Sequence, residues 1–256
     1  TSNAQYRIGI DARPLSVPHN GIGVYLRELL NQLLSTNRHC WFLYSDRPFE
    51  IDSSLEARSS SLKVKVRTGR AGGALRSTWF AQRQFPRWAK ADRCDVFWSP
   101  RHQLPLLLPN DIKCVVTLHD LIFRTHPNTM RATGRLLEAL LTPPSLTRAD
   151  AVIADSIAVQ QELAHYYPKN QDKSQAIHLS SSLAEHYDPE CAPPPEAPNK
   201  VPYFVFSGSV EPRKNLNRLL RVFLELVNTQ SIKHHVVLIS GGGWHNADTM
   251  QLIDQL

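Results

Sequence analysis

Apolar residues recur along the chain in two different patterns, and the two patterns alternate. Short continuous runs rich in β-branched and aromatic residues predict strands, whereas apolar residues three and four positions apart predict helices. The predicted strands are Arg7–Asp11, Cys40–Tyr44, Leu62–Val66, Cys94–Pro100, Lys113–Asp120 and Asp150–Ser156. The predicted helices between them are Gly23–Leu34, Thr133–Leu141 and Ile157–Tyr166, the last with Ser156 as its N-cap. This alternation predicts an α/β fold built on a doubly wound parallel sheet.

A proline-rich segment at residues 188–202 interrupts the pattern. It contains six prolines in fifteen residues, which excludes a helix and indicates a linker. After it the alternation restarts, with a strand at 203–208, a helix at 215–227, a strand at 234–243 and a helix from residue 247. We therefore predict a Rossmann-like domain at 5–187, a linker at 188–202 and the opening part of a second Rossmann-like domain at 203–256. A complete domain of this kind needs roughly 120 residues or more, so we expect the second one to be cut short.

The composition is that of a folded globular protein, with 42% hydrophobic and 20% charged residues. The chain has no apolar run of the length that a membrane-spanning helix needs, and we find no signal-peptide pattern before the first predicted strand. No two of the cysteines form a CxxC pair, so we interpret them as reduced thiols: Cys40, Cys94, Cys114 and Cys191. Together these features predict a cytoplasmic protein.

Basic residues are concentrated at positions 63–93. This segment holds nine lysines and arginines against one acid, Asp92, in a chain whose net charge is +6. Its stretch LRSTWFAQRQFPRWAK interleaves arginines with aromatic and apolar residues: Leu75, Trp79, Phe80, Phe85 and Trp88. Such a composition fits a peripheral surface on anionic lipid headgroups at the inner face of a membrane, and it also fits a solvated helix whose aromatic side chains face the core. We predict no nucleic-acid partner, because no nucleic-acid motif accompanies the basic run.

Glycines and polar residues follow two of the strands predicted before the linker, at the sheet edge where open α/β folds bind ligands. Gly21 and Gly23 can let backbone amides approach a phosphate or a sugar at a helix start, or they can simply open the helix. His119 and Asp120 end a buried strand, and with His126 they can bind a polyhydroxylated ligand or serve a structural role. These residues have no third ligand at a usual metal spacing, so no metal site is predicted.

The turn SGSVEPRKN follows the first predicted strand after the linker and places two cations at a helix start. A helix N-terminus already carries partial positive charge, so Arg213 and Lys214 cost stability there unless an anion arrives. Gly208 can form a tight turn and Glu211 can brace the loop. Two such cations can meet several phosphate oxygens, which points to a diphosphate, although two solvated cations are the alternative. The chain has neither a GxxxxGK[ST] P-loop nor a GxGxxG with a downstream acid.

Five segments of the chain, in this order, resemble those of the retaining GT-B glycosyltransferases of family 4. They are GIDARPL followed by GIGVYLREL, then VVTLHDLIF, RADAVIADS, FSGSVEPRKNLNRLL and VVLISGGGW. Within the family, the chain is similar to enzymes of bacterial cell-surface polysaccharide assembly, many of which are mannosyltransferases. The resemblance implies two Rossmann-like domains that face each other across a cleft. It also implies an acceptor on the N-terminal domain and a nucleotide-diphosphate sugar mainly on the C-terminal one.

The resemblance assigns roles to the residues singled out above. Gly21 and Gly23 match the glycine loop that approaches the donor phosphates, and Arg213 and Lys214 match the basic pair that neutralises the leaving diphosphate. His119 matches the histidine that contacts the transferred sugar, and we predict His119 and Asp120 as the catalytic residues, with Gly208 and Glu211 supporting the basic turn. No metal or cofactor is implied. The nucleotide sugar is a substrate, with GDP-mannose favoured and a UDP-sugar as the alternative, and the acceptor is a saccharide or a lipid-linked saccharide.

One family element is missing from the sequence. The acidic EX7E element, which holds the sugar and the ribose, normally follows the GGGW segment, and no such element follows it here. We therefore expect weak or absent turnover by this chain alone. Two alternatives to a transferase stay open: a catalytically silent acceptor-binding or scaffold protein, and another GT-B-like enzyme such as an epimerase or a phosphorylase.

Overall fold

A computed structural model of the chain describes residues 4–17, 21–36, 38–50, 64–71, 73–180, 201–230, 232–240, 243 and 247–254. The chain forms two compact units, Thr1–Thr125 with Ala132–Ser182 and His126–Arg131 with Leu183–Leu256. The predicted linker lies outside the described residues except for Val201 and Pro202, and so does Cys191. The domain boundaries therefore stay a prediction.

A parallel sheet of seven strands forms the centre of the first unit. Its strands are β1 Arg7–Asp11, β2 Cys40–Ser45, β3 Val64–Thr68, β4 Val96–Ser99, β5 Lys113–Leu118, β6 Ala151–Ala154 and β7 Ser174–Ala176. They run in the order β3-β2-β1-β4-β5-β6-β7, and every neighbouring pair is parallel. The inner strands are buried on both faces, which explains why their sequences are continuous apolar runs. The predicted α/β, doubly wound architecture is confirmed.

Helices cover the faces of this sheet. They are α1 Gly21–Ser35, α2 Ala74–Ala91, α3 Ile122–Thr125, α4 Ala132–Arg148 and α5 Ile157–Tyr166. Helix α1 buries Leu26, Leu30 and Leu34, at helical spacing, in a cluster that includes Ile10 and Trp41 of the sheet. Helix α5 has the predicted bounds, and the Ser156 hydroxyl accepts a hydrogen bond of 3.2 Å from the Val159 N–H as its N-cap.

The second unit contains a parallel pair of strands and two helices among its described residues. These elements are β8 Tyr203–Ser207, α6 Leu216–Gln230, β9 His235–Ile239 and α7 Ala247–Asp254. Their shared core consists of Val210, Leu216, Leu220 and Leu252. The order strand, helix, strand, helix is the one that the sequence predicts for this region.

Several predicted boundaries were wrong. Helix α1 begins two residues before Gly23, and β5 ends at Leu118, so His119 and Asp120 lie in the loop after the strand. Helix α4 continues past Leu141 to Arg148 through Pro143 and Pro144. Its last turns bury Thr142, Ser145 and Leu146 in the core, and this packing outweighs the backbone hydrogen bonds that the two prolines cannot make.

Candidate functional site

The topology of the first sheet creates a crevice at one edge. The chain runs outward from β1 through β2 to β3, and it then continues on the other side of β1 with β4 to β7. Connections that leave in opposite directions open a crevice at the carboxyl ends of β1 and β4, where ligands of such sheets bind. Polar residues lie at this edge: Asp11 at the end of β1 and Arg13 after it, Asp46 and Arg47 after β2, Arg101 and His102 after β4, His119 and Asp120 after β5, and Asp155 after β6.

The two predicted glycines lie at the start of α1 in different surroundings. A Cβ atom on Gly23 would lie 2.7 Å from the Pro14 carbonyl oxygen, so this glycine lets the helix pack directly against the loop after β1. A Cβ atom on Gly21 would meet no described residue within 4 Å. Packing therefore explains Gly23, whereas no described neighbour requires a glycine at position 21. The possibility that Gly21 admits a ligand to the helix start is untested.

The His119 ring contacts three residues of the first unit. Its Nε2 atom lies 3.0 Å from the Pro100 carbonyl oxygen, and its Nδ1 atom lies 3.2 Å from Asp155 Oδ2. The ring of Tyr25, on α1, contacts the His119 ring edge-on with centroids 5.1 Å apart. Because a carbonyl oxygen can only accept, the Nε2 atom carries the hydrogen in the bond to Pro100. His119 is thus rigidly oriented, and contact with a sugar through Nε2 requires the Pro100 bond to be exchanged.

A second histidine, His102, was not predicted from the sequence, and it binds the backbone of His119. His102 Nε2 accepts a hydrogen bond of 3.1 Å from the backbone N–H of His119, and its Nδ1 atom lies 3.3 Å from Glu138 Oε2 on α4. Burial alone would raise the pKa of Glu138, but the hydrogen bonds from His102 and Thr142 outweigh it and lower the pKa to about 2. Glu138 is therefore ionised and orients His102, which in turn fixes the backbone at His119.

Asp120 has a structural contact in the same loop. Its Oδ1 atom accepts a hydrogen bond of 3.2 Å from the backbone N–H of Ile122, the first residue of α3. This is the contact expected of a residue that starts a helix turn. His126, named in the sequence reading as a further ligand-binding group, is exposed. The catalytic role predicted for Asp120 stays a prediction.

The predicted basic turn lies in the second unit. Gly208 follows β8 with a φ angle of 144°, which side chains rarely permit. Pro212–Lys214 then form one turn of 3-10 helix before α6. Arg213 donates a hydrogen bond of 2.9 Å to Glu211 Oε1, so the acid partly neutralises one of the two cations. Among the described residues, the Lys214 ammonium group has no ion-pair or hydrogen-bond partner, and its side chain is exposed.

The basic segment forms a helix with two different faces. On α2, Phe85 is fully buried, and the rings of Phe80 and Trp88 pack against it with centroids 6.2 and 5.8 Å away. Leu75 and Trp79 are 60% and 65% exposed, and the Arg83 guanidinium lies over the Trp79 ring. Most of the aromatic side chains thus face the core. None of the helices in the described part of the chain combines the length and the apolar character needed to cross a bilayer.

Cys94 and Cys114 are buried thiols, and Cys40 is half-buried. Burial raises the pKa of Cys94 and of Cys114 to about 11, so both are poor nucleophiles at neutral pH. In the described residues, no three histidine, cysteine or acidic side chains are placed to hold a metal ion.

A family model described as Glycosyltransferase Family 4 matches residues 19–179. The match covers more than half of the chain and includes α1, His102, His119 and Asp155 of the crevice. The chain belongs to glycosyltransferase family 4. This family 4 chain is also 25% identical to the O-antigen chain mannosyltransferase B of Escherichia coli, over 94% of the chain and 66% of that protein.

Solved structures with a similar fold include Anabaena HepE and one named transferase. Anabaena HepE, in complex with UDP and glucose, matches with a TM-score of 0.59 and 15% identity, over 98% of this chain and 65% of that one. The lipopolysaccharide outer core galactosyltransferase WaaB matches with a TM-score of 0.51 and 12% identity, over 97% of this chain and 71% of that one. These likenesses confirm the predicted α/β fold of the GT-B type. The chain spans about two thirds of the length of the relatives that it matches, 65% for HepE and 66% for the mannosyltransferase.

The fold alone does not decide the reaction. A Listeria monocytogenes protein assigned as a UDP-N-acetylglucosamine 2-epimerase matches with a TM-score of 0.52 and 9% identity, over 98% of this chain. The same architecture thus occurs in proteins named for different reactions. The family match, rather than the shape, separates this chain from the epimerases.

Proposed function

We propose that this family 4 chain is a hexosyltransferase that moves a sugar, with retention, from a nucleotide-diphosphate sugar to a saccharide or lipid-linked acceptor in cell-surface polysaccharide synthesis. The observation that carries the proposal is the family match over residues 19–179. The mannosyltransferase relative favours mannose from GDP-mannose. The UDP bound to HepE keeps a UDP-sugar as the alternative donor.

The chemistry of this transfer accounts for the charges in the second unit. The bond between the anomeric carbon and the diphosphate oxygen breaks, and a new bond forms from an acceptor oxygen to that carbon. Negative charge then develops on the departing diphosphate, and stabilising it is the main electrostatic task of the site. Arg213 and Lys214 before α6 supply two cations, and the N-terminus of α6 adds partial positive charge. Lys214, which lacks a counter-ion among the described residues, is the cation with the most to gain from a diphosphate.

In the crevice of the first unit, His119 is oriented to hold the transferred sugar. His119 is oriented by Asp155, Pro100 and Tyr25, and its backbone is fixed by His102. A side chain with its rotamer fixed by several partners can hold a sugar hydroxyl in one orientation at little entropic cost. In this proposal His119 contacts the transferred sugar, and Asp120 lies next to the same sugar. Asp120 also keeps its structural contact at the start of α3.

Sugar transfer is tested by following GDP-mannose and a mannose-terminated oligosaccharide by NMR with this chain, His119→Ala and Asp120→Asn. In keeping with the weak turnover that the sequence predicts, we expect a slow reaction whose product has the anomeric configuration of the donor. Asn at position 120 keeps the oxygen that accepts from Ile122, so α3 is preserved while the charge is removed. Both variants should lower the transfer rate by about tenfold or more with little change in GDP affinity, because they remove interactions made at the reacting sugar.

A different outcome identifies the alternative function. If the mannose-terminated oligosaccharide binds while neither GDP nor UDP binds and no transfer occurs, the chain is a silent acceptor-binding protein of the same family. If transfer occurs at an unchanged rate in both variants, the catalytic assignment of His119 and Asp120 is wrong.

Peripheral contact of α2 with an anionic membrane is a further part of the proposal. Leu75 and Trp79 are exposed on the same helix as several cations, which is the pairing that binds headgroup surfaces. Sedimentation with anionic vesicles should fall for Trp79→Ser and stay unchanged for Leu136→Ser, a control with a similarly exposed side chain on α4. Equal sedimentation with anionic and neutral vesicles would contradict membrane contact.

A further inference from the structure

Three arginines surround a small cavity in the first unit, at the crevice edge of the sheet. The cavity has a volume of about 160 Å³ and lies beside Arg13, Arg47, Arg101, Asp46, Ser77 and Ile22. These residues come from the loops after β1, β2 and β4 and from the first turns of α1 and α2. We call this cavity the arginine pocket. Since a water molecule takes about 30 Å³ of liquid volume, the pocket has room for a phosphate or carboxylate group with an adjoining hydroxyl.

The three arginines of the arginine pocket are not equally paired. Arg13 pairs with Asp11 at 2.6 Å and donates to the Ser77 carbonyl at 3.1 Å. Arg47 pairs with Asp46 at 3.3 Å. Arg101 has no hydrogen-bond or ion-pair partner for its guanidinium among the described residues, and the Glu138 carboxylate that acts on it is hydrogen-bonded to His102 instead.

The surroundings of Arg101 disfavour its charged form. Burial and the neighbouring Arg13 lower the pKa of Arg101, while Asp11, Glu138 and Asp46 act in the opposite direction. A guanidinium group stays charged in proteins, so it cannot relieve this cost by losing a proton. A half-buried cation without a hydrogen-bonded partner is also costly, because it has lost part of its hydration without gaining a counter-ion. A bound anion would remove that expense.

Two further polar atoms beside the pocket lack partners in the described part of the chain. Asp46 Oδ1 and Arg47 Nε are both buried, and neither makes a hydrogen bond with a described residue. The Asp46 side chain is only 1% exposed. Unpartnered buried polar atoms are rare in folded proteins, and here a donor and an acceptor lie at the same cavity. A ligand that presents both acceptor oxygens and a hydroxyl donor would pair with all of them.

We propose that the arginine pocket binds a substrate group that carries an oxyanion, a phosphate or a carboxylate, next to a hydroxyl. The oxyanion accepts hydrogen bonds from Arg101 and Arg47, and the hydroxyl donates to Asp46. An acidic saccharide acceptor and the diphosphate of a nucleotide sugar both carry such an oxyanion. The acceptor source rests on the proposed function, whereas the oxyanion site itself does not.

The test is calorimetric titration of four probes: inorganic phosphate, mannose, mannose 6-phosphate and GDP. The key variant is Arg101→Gln, which removes the charge and keeps most of the side-chain length. The control is Arg87→Gln, which removes an arginine from the exposed face of α2. Thermal unfolding of each variant, at constant ionic strength and with or without phosphate, checks folding and gives a second readout.

We expect phosphate to bind and mannose 6-phosphate to bind more tightly than phosphate, with no binding of mannose alone. Arg101→Gln should weaken phosphate binding about tenfold or more and abolish the phosphate-dependent rise in Tm, while Arg87→Gln keeps both. The proposal is overturned if phosphate leaves the Tm of the native chain unchanged, or if Arg101→Gln binds phosphate as the native chain does.

The same titrations distinguish the two sources. If Arg101→Gln weakens the binding of mannose 6-phosphate but not that of GDP, the pocket binds an acidic acceptor. If the variant weakens the binding of GDP as well, the pocket binds the donor diphosphate. Both results support the oxyanion site, and neither depends on sugar transfer, so a failure of the proposed function remains distinguishable from a failure of this site.

Discussion

Gly21 and Gly23 are two residues apart at the start of α1. A methyl group added to Gly23 tests its packing against the loop after β1, and one added to Gly21 tests close approach of a ligand. At Gly23 the new Cβ would lie 2.7 Å from the Pro14 carbonyl oxygen, so the loop after β1 or the helix must move. We expect Gly23→Ala to lower the free energy of unfolding by about 1–3 kcal/mol, measured by denaturant titration.

Gly21→Ala serves as the matched control for this prediction, because its Cβ meets no described residue within 4 Å. It should leave stability unchanged or raise it slightly, since alanine is the better helix former. If Gly21→Ala is as stable as the native chain but binds GDP more weakly, the close approach of a ligand to Gly21 is supported. Equal destabilisation by both substitutions would contradict the packing account.

Some single site residues were predictable from the sequence and others were not. His119, Arg213 and Lys214 stand out as polar residues directly after apolar runs, so their types and positions were readable from the chain. His102 and Glu138 were not selected, because their pairing joins residues 36 positions apart and no local pattern encodes it. The unpaired guanidinium of Arg101 was not predictable for the same reason, because it depends on Arg13 pairing with Asp11 and Arg47 pairing with Asp46.

At the scale of elements, one buried carboxylate connects the outer strands to the end of α2. Asp92 accepts hydrogen bonds from Lys65 and Arg67 on β3 and from the Tyr44 hydroxyl on β2. Burial alone would raise the pKa of Asp92, but the bonds from Arg67, Lys65 and Tyr44 outweigh it and lower the pKa to about 2. The ionised carboxylate therefore stabilises the folded state.

This pKa shift predicts a dependence of stability on pH. A lowered folded-state pKa gives stability that is fully present above the ordinary pKa of 3.8 and is lost as the pH falls through about 2. At pH 7, Asp92→Asn should lower the free energy of unfolding by about 2 kcal/mol. The difference between the variant and the native chain should narrow as the pH approaches 2. A constant difference across that range would show that Asp92 acts through packing and not through its charge.

Elements with strong periodicity were predictable, and elements held by packing were not. Strand β1 and helix α5 have the predicted bounds, since their apolar patterns and caps are local. Strand β7, Ser174–Ala176, has a short polar sequence without a strand signal and forms only because it pairs with β6. The extension of α4 through two prolines likewise depends on burial against the sheet.

At the scale of the whole molecule, the order of strands and helices was readable because βαβ units connect in few ways. The sequence also placed the glycine turn and the histidine in the first unit and the basic turn in the second. The predicted linker at residues 188–202 lies mostly outside the described part of the chain, so the boundary between the two domains stays a prediction. The identity of the sugar and of the acceptor depends on a few loop side chains, which neither periodicity nor fold reports.

The most direct test of the account is calorimetric titration of GDP, UDP and ADP into this chain. The variant is Arg213→Ala with Lys214→Ala, and the control is Arg221→Ala with Lys233→Ala, which removes the same charge from exposed positions of the second unit. We predict that GDP binds best and that the variant loses about thirtyfold or more in affinity, because charge-assisted hydrogen bonds to phosphate are worth about 2 kcal/mol. The control should bind GDP as the native chain does. GDP binding of equal strength in the native chain and the variant would contradict the account.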